Sequence, residues 1–382
     1  MPSLAGSSPE VQVYSRLPVT LVRGEGCRVW DEDGKAYLDL YGGHAVAALG
    51  YGHPALTHAI ATQAQDLLFQ TNAVHLQVRD RAIARLVQAA PEGLDQAFLV
   101  SSGAEANENA LRLAFLKTKR SRVTALTGAF HGRTAAAGAI TYGNAGWFGF
   151  PQAPFEVDWL TPEAFDAIET AITADTAAVI FEPVQGVAGA VDLSPEFAQR
   201  VAARCREVGA VLIVDEVQTG VGRTGTTFAV EWLGINPDIL TTAKGLGGGF
   251  PVAAVLCSAA IGDGIGKGTL GTTFGGGPVA CAAIEAVLGV VDEPSFLAAV
   301  RRRAELLAET ALAAGVHRVT GMGFLMGLHV GQPAGPVRQM LLEKGFLTGD
   351  AKNPEVVRLL PPLILSDAEI AEFGTALAEV LR

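Results

Sequence analysis

Between residues 95 and 260 the chain alternates short apolar or β-branched runs with longer helical patterns, and this alternation most limits what it can fold into. "QAFLVS" (96–101) precedes "GAEANENALRLAFLKT", "AAVIFEP" (177–183) precedes "SPEFAQRVAARCREVG", and "AVLIVDEV" (210–217) follows that helix. A run such as "VLIV" has no polar face, so it suits a strand covered on both sides. Strands of this kind separated by helices predict an α/β fold with a mainly parallel sheet. Ser194 is placed as an N-cap, Pro195 as the first helical residue and Gly209 as the stop signal of the helix between them.

The pattern changes on both flanks. From about 281 two long helical segments are followed by short strands and a final helix, which predicts a smaller α+β unit. Near the N-terminus "LVRGEGCRVWDEDGKAYLDL" reads as β-structure with a hairpin turn at "DEDG". We therefore expect three parts: an N-terminal segment, 1–44, packing with the small unit; a large domain, 45–280; and a C-terminal domain, 281–382.

Composition narrows the function. Of 382 residues 49% are hydrophobic and 18% charged, which excludes a disordered chain. A net charge of −11, with no basic run longer than Arg301–Arg303, argues against a nucleic-acid groove. The start "MPSLAGSSPE" lacks a basic and apolar leader pattern, and no window holds 18 uninterrupted apolar residues, so a soluble cytoplasmic protein without a membrane partner is expected. Cys27, Cys205, Cys257 and Cys281 are scattered and no H-E-x-x-H occurs, so neither disulfides nor a metal site is expected.

Glycine-rich stretches invite a nucleotide-binding reading, but "KGLGGGF" has Phe250 where G-x-G-x-x-G needs its last glycine. "GIGKGT" has Gly268 where a P-loop needs Ser or Thr. Three other places carry more. In "LVSSGAEANENALRL" a strand ends and a helix begins, so Ser102, Gly103 and Ala104 offer amides and a helix N-terminus to a phosphate; an ordinary serine-capped helix start is the alternative. "LIVDEVQTG" puts Asp215 at the carboxyl end of a strand, ready for a protonated ring nitrogen or for a nearby arginine such as Arg223. Lys244 stands between the apolar "ILTTA" and Gly245, Gly247, Gly248 and Gly249, where a desolvated amine becomes a nucleophile toward aldehydes. A phosphate cup, an acid for a pyridine nitrogen and an imine-forming lysine together are what pyridoxal 5'-phosphate needs.

With these residues in place the chain resembles the class III, ornithine-type, pyridoxal-phosphate aminotransferases over nearly its whole length, and most of all their acetylornithine branch. The likeness is carried by "DLYGGHAVAALGYGHP", "SSGAEANENALRLA", "AFHGRT", "FEPVQG", "LIVDEVQTGVGRTG", "PDILTTAKGLGGGFPVAAV", "GTTFGG" and "VVRLLPPLILS". It implies the fold type I architecture of pyridoxal-phosphate transferases. It also implies a homodimer with shared active sites, in which Thr273 reaches the phosphate bound by the neighbouring subunit. It assigns Phe130 to stacking on the cofactor ring, Asp215 to the ring nitrogen, Gln218 to the ring hydroxyl, and Lys244 to the Schiff base and proton transfer. Arg133 and Arg358 are the implied carboxylate-binding residues of the substrate.

The implied activity is transfer of the terminal amino group of N-acetylornithine to 2-oxoglutarate, in arginine biosynthesis. Gly43, where enzymes of free ornithine carry tyrosine, leaves room for an acylated amine. One position departs from the family: Val187 stands where a glutamate usually pairs with the arginine matched by Arg358. Val187 is therefore expected to alter acyl-group preference. The rival activities are transamination of N-succinylornithine, of a carrier-bound or acylated lysine, or of 4-aminobutyrate, and a silent scaffold is the rival outside enzymes. His44 and His75 lie in segments lining the family's substrate entrance and are given no role.

Overall fold

The computed structural model describes residues 10–382, so the leader reading, apart from Glu10, falls outside the described residues. The chain begins with three antiparallel strands, β1 (Leu21–Glu25), β2 (Arg28–Asp31) and β3 (Ala36–Asp39). The expected turn joins the last two, with Gly34 at φ 83°. Helices α1 (Pro54–Asp66) and α2 (Gln77–Ala89) follow, then β4 (Gln96–Val100), α3 (Gly103–Thr118), β5 (Arg122–Leu126), β6 (Glu156–Leu160) and β7 (Thr176–Phe181). Next come α4 (Pro195–Val208), β8 (Val211–Asp215), β9 (Ile239–Thr242) and β10 (Ala253–Cys257).

Strands β4 to β10 form one sheet in the order β4-β10-β9-β8-β7-β5-β6. All its neighbours are parallel except β10, which runs against both β4 and β9. The doubly apolar runs have the predicted cause. Along β7, Val179 and Phe181 enter one core while Ala178 and Ile180 enter the other; along β8, Leu212 and Val214 oppose Val211 and Ile213 in the same way. Each fully buried aliphatic side chain of this kind contributes about 1.5–3 kcal/mol, so a polar residue in either run would cost a whole face of the sheet its packing.

Helix α3 closes one core with Ala106, Ala110, Leu113 and Ala114, and α4 the other with Phe197, Val201 and Cys205. The signals read for α4 are all in use. Ser194 Oγ accepts from Phe197 N at 3.1 Å, Pro195 is the first helical residue, and Gly209 ends the helix at φ 69°. The cysteines are buried and unpaired.

Beyond the sheet lie α5 (Pro278–Val291), α6 (Pro294–Ala313), β11 (Arg318–Met322), β12 (Leu325–His329) and α7 (Ala334–Glu343). They are followed by β13 (Phe346–Leu347), β14 (Val356–Leu359) and α8 (Asp367–Leu381). Strands β11, β12 and β14 make a small antiparallel sheet, and β13 adds parallel to β3, pairing Phe346 with Leu38. Helix α5 packs on α1, α2 and the turn that begins at Lys244, while α6 packs on α8. Among the described residues, no helix is long and apolar enough to cross a membrane.

Candidate active site

Strands β4, β5, β8 and β9 all lead at their carboxyl ends into one cavity of about 370 Å³. Its walls include Ser102, Gly103, Ala104, Phe130, Asp215, Gln218 and Lys244, which the sequence scatters over more than 140 positions. The edge beyond the strand ends is where open α/β sheets bind ligands.

Ser102 is the N-cap of α3, its Oγ accepting from Glu105 N at 3.2 Å. Gly103 and Ala104 occupy the first turn, where amides have no intrahelical acceptor and the helix dipole favours an anion. Only glycine fits at 103, because a Cβ there would stand 2.7 Å from Val217 Cγ1.

Asp215, 3% exposed, ends β8 inside a buried polar relay. Its Oδ2 accepts from Asn107 Nδ2 at 2.7 Å and lies 2.7 Å from His131 Nδ1, while Oδ1 accepts from Val217 N at 2.9 Å. Thr241 Oγ1 in turn donates to Asn107 Oδ1 at 2.7 Å. Arg223, the alternative partner weighed for Asp215, donates instead to the carbonyls of Phe324 and Pro361. Asp215 thus serves the cavity and no arginine.

Lys244 opens a tight turn with φ 48°, a left-handed conformation costing roughly 1–2 kcal/mol for a residue with a side chain. The glycines that follow make this turn possible. At Gly248 φ is 58°, and a Cβ would come within 2.6 Å of Leu56 Cδ2. Desolvation lowers the Lys244 pKa to about 8, although Asp215 and Glu182 pull it upward. Glu182 accepts from Phe130 N at 2.9 Å, and burial raises its own pKa to about 7.

The substrate candidates stand around this cavity rather than in its lining. Arg133 is exposed, with its guanidinium 5.3 Å from the Trp147 ring centroid. Arg358 is 4% exposed and donates from Nη2 to Tyr41 Oη at 2.6 Å. Gly186 separates Arg358 from Gln218: a Cβ at 186 would collide with Gln218 Oε1 and stand 3.6 Å from Arg358 Nη1. Val187 lines the cavity, so no carboxylate enters from that position. A Cβ at Gly43 would meet no atom within 4 Å. Thr273 is exposed and outside this cavity, next to Phe274, whose ring meets that of Phe69 at a tilt of 52°.

Three contributors went unassigned in the sequence. Asn107 lies one helical turn after Gly103 and so faces the same way, His131 sits inside "AFHGRT", and Glu182 opens "EPVQG"; that spacing and those motifs were the available signals.

The residues fit the cofactor implied by the sequence. Among the described residues Gln218 Oε1 and His131 Nε2 are buried without a hydrogen-bond partner, and both side chains belong to the cavity lining. Free first-turn amides, an acid held by three neighbours and a lysine of lowered pKa complete the set.

The family profile described as aminotransferase class-III matches residues 11–381. The acetylornithine aminotransferase of Corynebacterium efficiens is 41% identical over 98% of this chain and 96% of its own. Among solved structures, the N-acetylornithine aminotransferase of Stenotrophomonas maltophilia superposes with a TM-score of 0.82 at 32% identity, covering 96% of each chain. The ornithine aminotransferase of Toxoplasma gondii, described with partial occupancy of PLP at its active site, gives a TM-score of 0.92 at 28% identity, covering 98% of this chain and 92% of that one.

Proposed function

The chain belongs to the class-III aminotransferases, and from that premise we propose that it moves the terminal amino group of N-acetylornithine to 2-oxoglutarate with pyridoxal phosphate held in the cavity described. The single observation that carries this reading is the meeting of Ser102, Gly103, Ala104, Phe130, Asp215, Gln218 and Lys244 around one cavity at the sheet's carboxyl edge.

When bound, pyridoxal phosphate supplies an aldehyde that captures amines and a ring that spreads the electron pair of a broken C–H bond. The Gly103 and Ala104 amides and Ser102 would hold its phosphate, Phe130 would pack on its ring, and Gln218 would meet its hydroxyl. The Asp215 carboxylate, its orientation fixed by Asn107 and His131, would be the group that meets the ring nitrogen. Lys244 Nζ, neutral for a useful fraction of the time because of desolvation, would serve as the base that takes a proton from the substrate carbon. Arg133 and Arg358 take the substrate carboxylates, for which a planar guanidinium provides two parallel donors.

Val187 favours attention to a second donor, N-succinylornithine, because it leaves Arg358 without a carboxylate from the protein and available to the extra carboxylate of a succinyl group. A cytoplasmic homodimer in arginine biosynthesis, with Thr273 reaching the partner's cavity, belongs to the same proposal; the exposed Phe274 beside Thr273 supports it. So does the three-part organisation. The β3–β13 pairing supports joining the N-terminal segment to the C-terminal unit, whereas the packing of α5 on α1 and α2 favours a boundary after Val291.

The test is the visible spectrum of the purified protein with each donor in a separate cuvette. N-acetylornithine should bleach the cofactor's colour faster than ornithine, and 2-oxoglutarate should restore it. A protein that stays colourless after added pyridoxal phosphate defeats the proposal.

A further inference from the structure

Arg358 is a buried cation in an unusual state. Its Nε and Nη1 have no hydrogen-bond partner, and among the described residues its guanidinium donates only to the Tyr41 hydroxyl. An uncompensated buried charge is costly, so the few contacts it does make determine where it points.

The direction of these hydrogen bonds follows from the groups. A guanidinium only donates, so Tyr41 Oη accepts from Nη2 and has its own hydrogen left for His44 Nδ1, 2.7 Å away. Nδ1 is then the acceptor of a neutral imidazole. Desolvation, with the nearby cations Arg358 and Lys244 adding to it and Asp350 opposing it, lowers the His44 pKa on balance and favours that form of the ring.

The backbone is built for this arrangement. Gly349 and Arg358 face each other across an antiparallel bridge, exchanging N–H···O bonds of 2.9 and 3.0 Å. A Cβ at 349 would collide with the Tyr41 ring, so the missing side chain is what seats that ring beside the guanidinium, whose carbon lies 5.4 Å from the ring centroid. His44 itself is held at φ 64°.

Nη2 carries two hydrogens. Tyr41 takes one, and the other shares an edge of the guanidinium with an unpartnered neighbour, Nη1 or Nε. The hydrogen count therefore leaves one edge of the guanidinium for a bidentate carboxylate with Tyr41 still in place; Nε and Nη1 are both buried, so a substrate carboxylate reaches them only as their neighbours give way.

We propose that Tyr41 and His44, seated against Gly349, form a neutral anchor that aims Arg358 at the substrate's carboxylate without neutralising it. They are positioning residues that decide how strongly this site takes a dicarboxylate acceptor. The proposal rests on the reading that Arg358 receives a substrate carboxylate.

The experiment is calorimetric titration of the cofactor-loaded protein with glutarate, a five-carbon dicarboxylate with no group to react. A hydrogen bond to a charged group contributes about 1.5–3 kcal/mol, so Tyr41→Phe should raise the glutarate Kd about tenfold or more. Gly349→Ala, which keeps the hydroxyl but displaces the ring, should do the same. His44→Phe, which removes the acceptor, should also raise the Kd, and His44→Asn, which retains an acceptor near Nδ1 and tolerates a left-handed backbone, should raise it less. The KM for 2-oxoglutarate should rise by the factor seen in Kd, with a much smaller change in kcat.

Unchanged or tighter glutarate binding by Tyr41→Phe, where Arg358→Ala abolishes it, overturns the anchor alone. Glutarate binding that survives Arg358→Ala overturns the placement of the carboxylate, and the anchor with it.

Discussion

Lys244 should titrate near pH 8 in the cofactor-free protein, and this can be followed at the residue itself. An ordinary lysine near 10.5 is neutral at pH 7 in about one molecule of three thousand, whereas one near 8 is neutral in about one of ten. Reductive trapping with pyridoxal and cyanoborohydride, followed by peptide mass spectrometry, should show Lys244 labelled with a midpoint near pH 8. The same difference has a thermodynamic side. The folded pKa lies below the unfolded one, so the unfolded chain binds more protons between about 8 and 10.5 and stability rises with pH across that window. Lys244→Met should accordingly stabilise the cofactor-free protein by up to about 3 kcal/mol at pH 7 and by almost nothing at pH 11. Denaturant titration at the two pH values reads this directly. A Lys244 labelling midpoint above 10, or a variant equally stabilising at both pH values, would refute the desolvation argument.

The other expectations use the same site. Glu182→Gln removes a carboxylate that raises the Lys244 pKa, so the labelling midpoint should fall below 8; an upward movement contradicts the sign. Asp215→Asn keeps the shape but gives up the charge aimed at the cofactor, and kcat should fall about 10²–10⁴-fold while Asn107→Ala loses less; equal activity removes Asp215 from the chemistry. Val187→Glu brings a carboxylate toward Arg358, so the KM for 2-oxoglutarate should rise and the acetyl-to-succinyl ratio of kcat/KM should change. An unchanged ratio ends the acyl-preference argument.

The fold was readable wherever one local rule decided the outcome. "VLIV" forced a strand buried on both faces, and Ser194, Pro195 and Gly209 fixed a helix at both ends because capping is a matter of neighbours in sequence. The antiparallel insertion of β10 between β4 and β9 was not readable, since "AAVLC" is equally apolar in either direction. At the site, Asp215 and Lys244 announced themselves as charges set in apolar runs. Asn107 and His131 did not, because an amide on a helix and a histidine in a loop are ordinary until the fold brings them to Asp215 Oδ2. Tyr41 was hidden for the same reason: 317 positions separate it from Arg358, and only the Gly349 bridge brings them together.

The central claim is tested most directly by the rate of glutamate formation from 2-oxoglutarate, with N-acetylornithine, N-succinylornithine, ornithine and 4-aminobutyrate supplied as donors in parallel. The account predicts that N-acetylornithine gives the highest kcat/KM, that ornithine and 4-aminobutyrate trail it by at least tenfold, and that Lys244→Ala abolishes turnover with every donor. Ornithine or 4-aminobutyrate in first place, or turnover that survives the loss of Lys244, would contradict it.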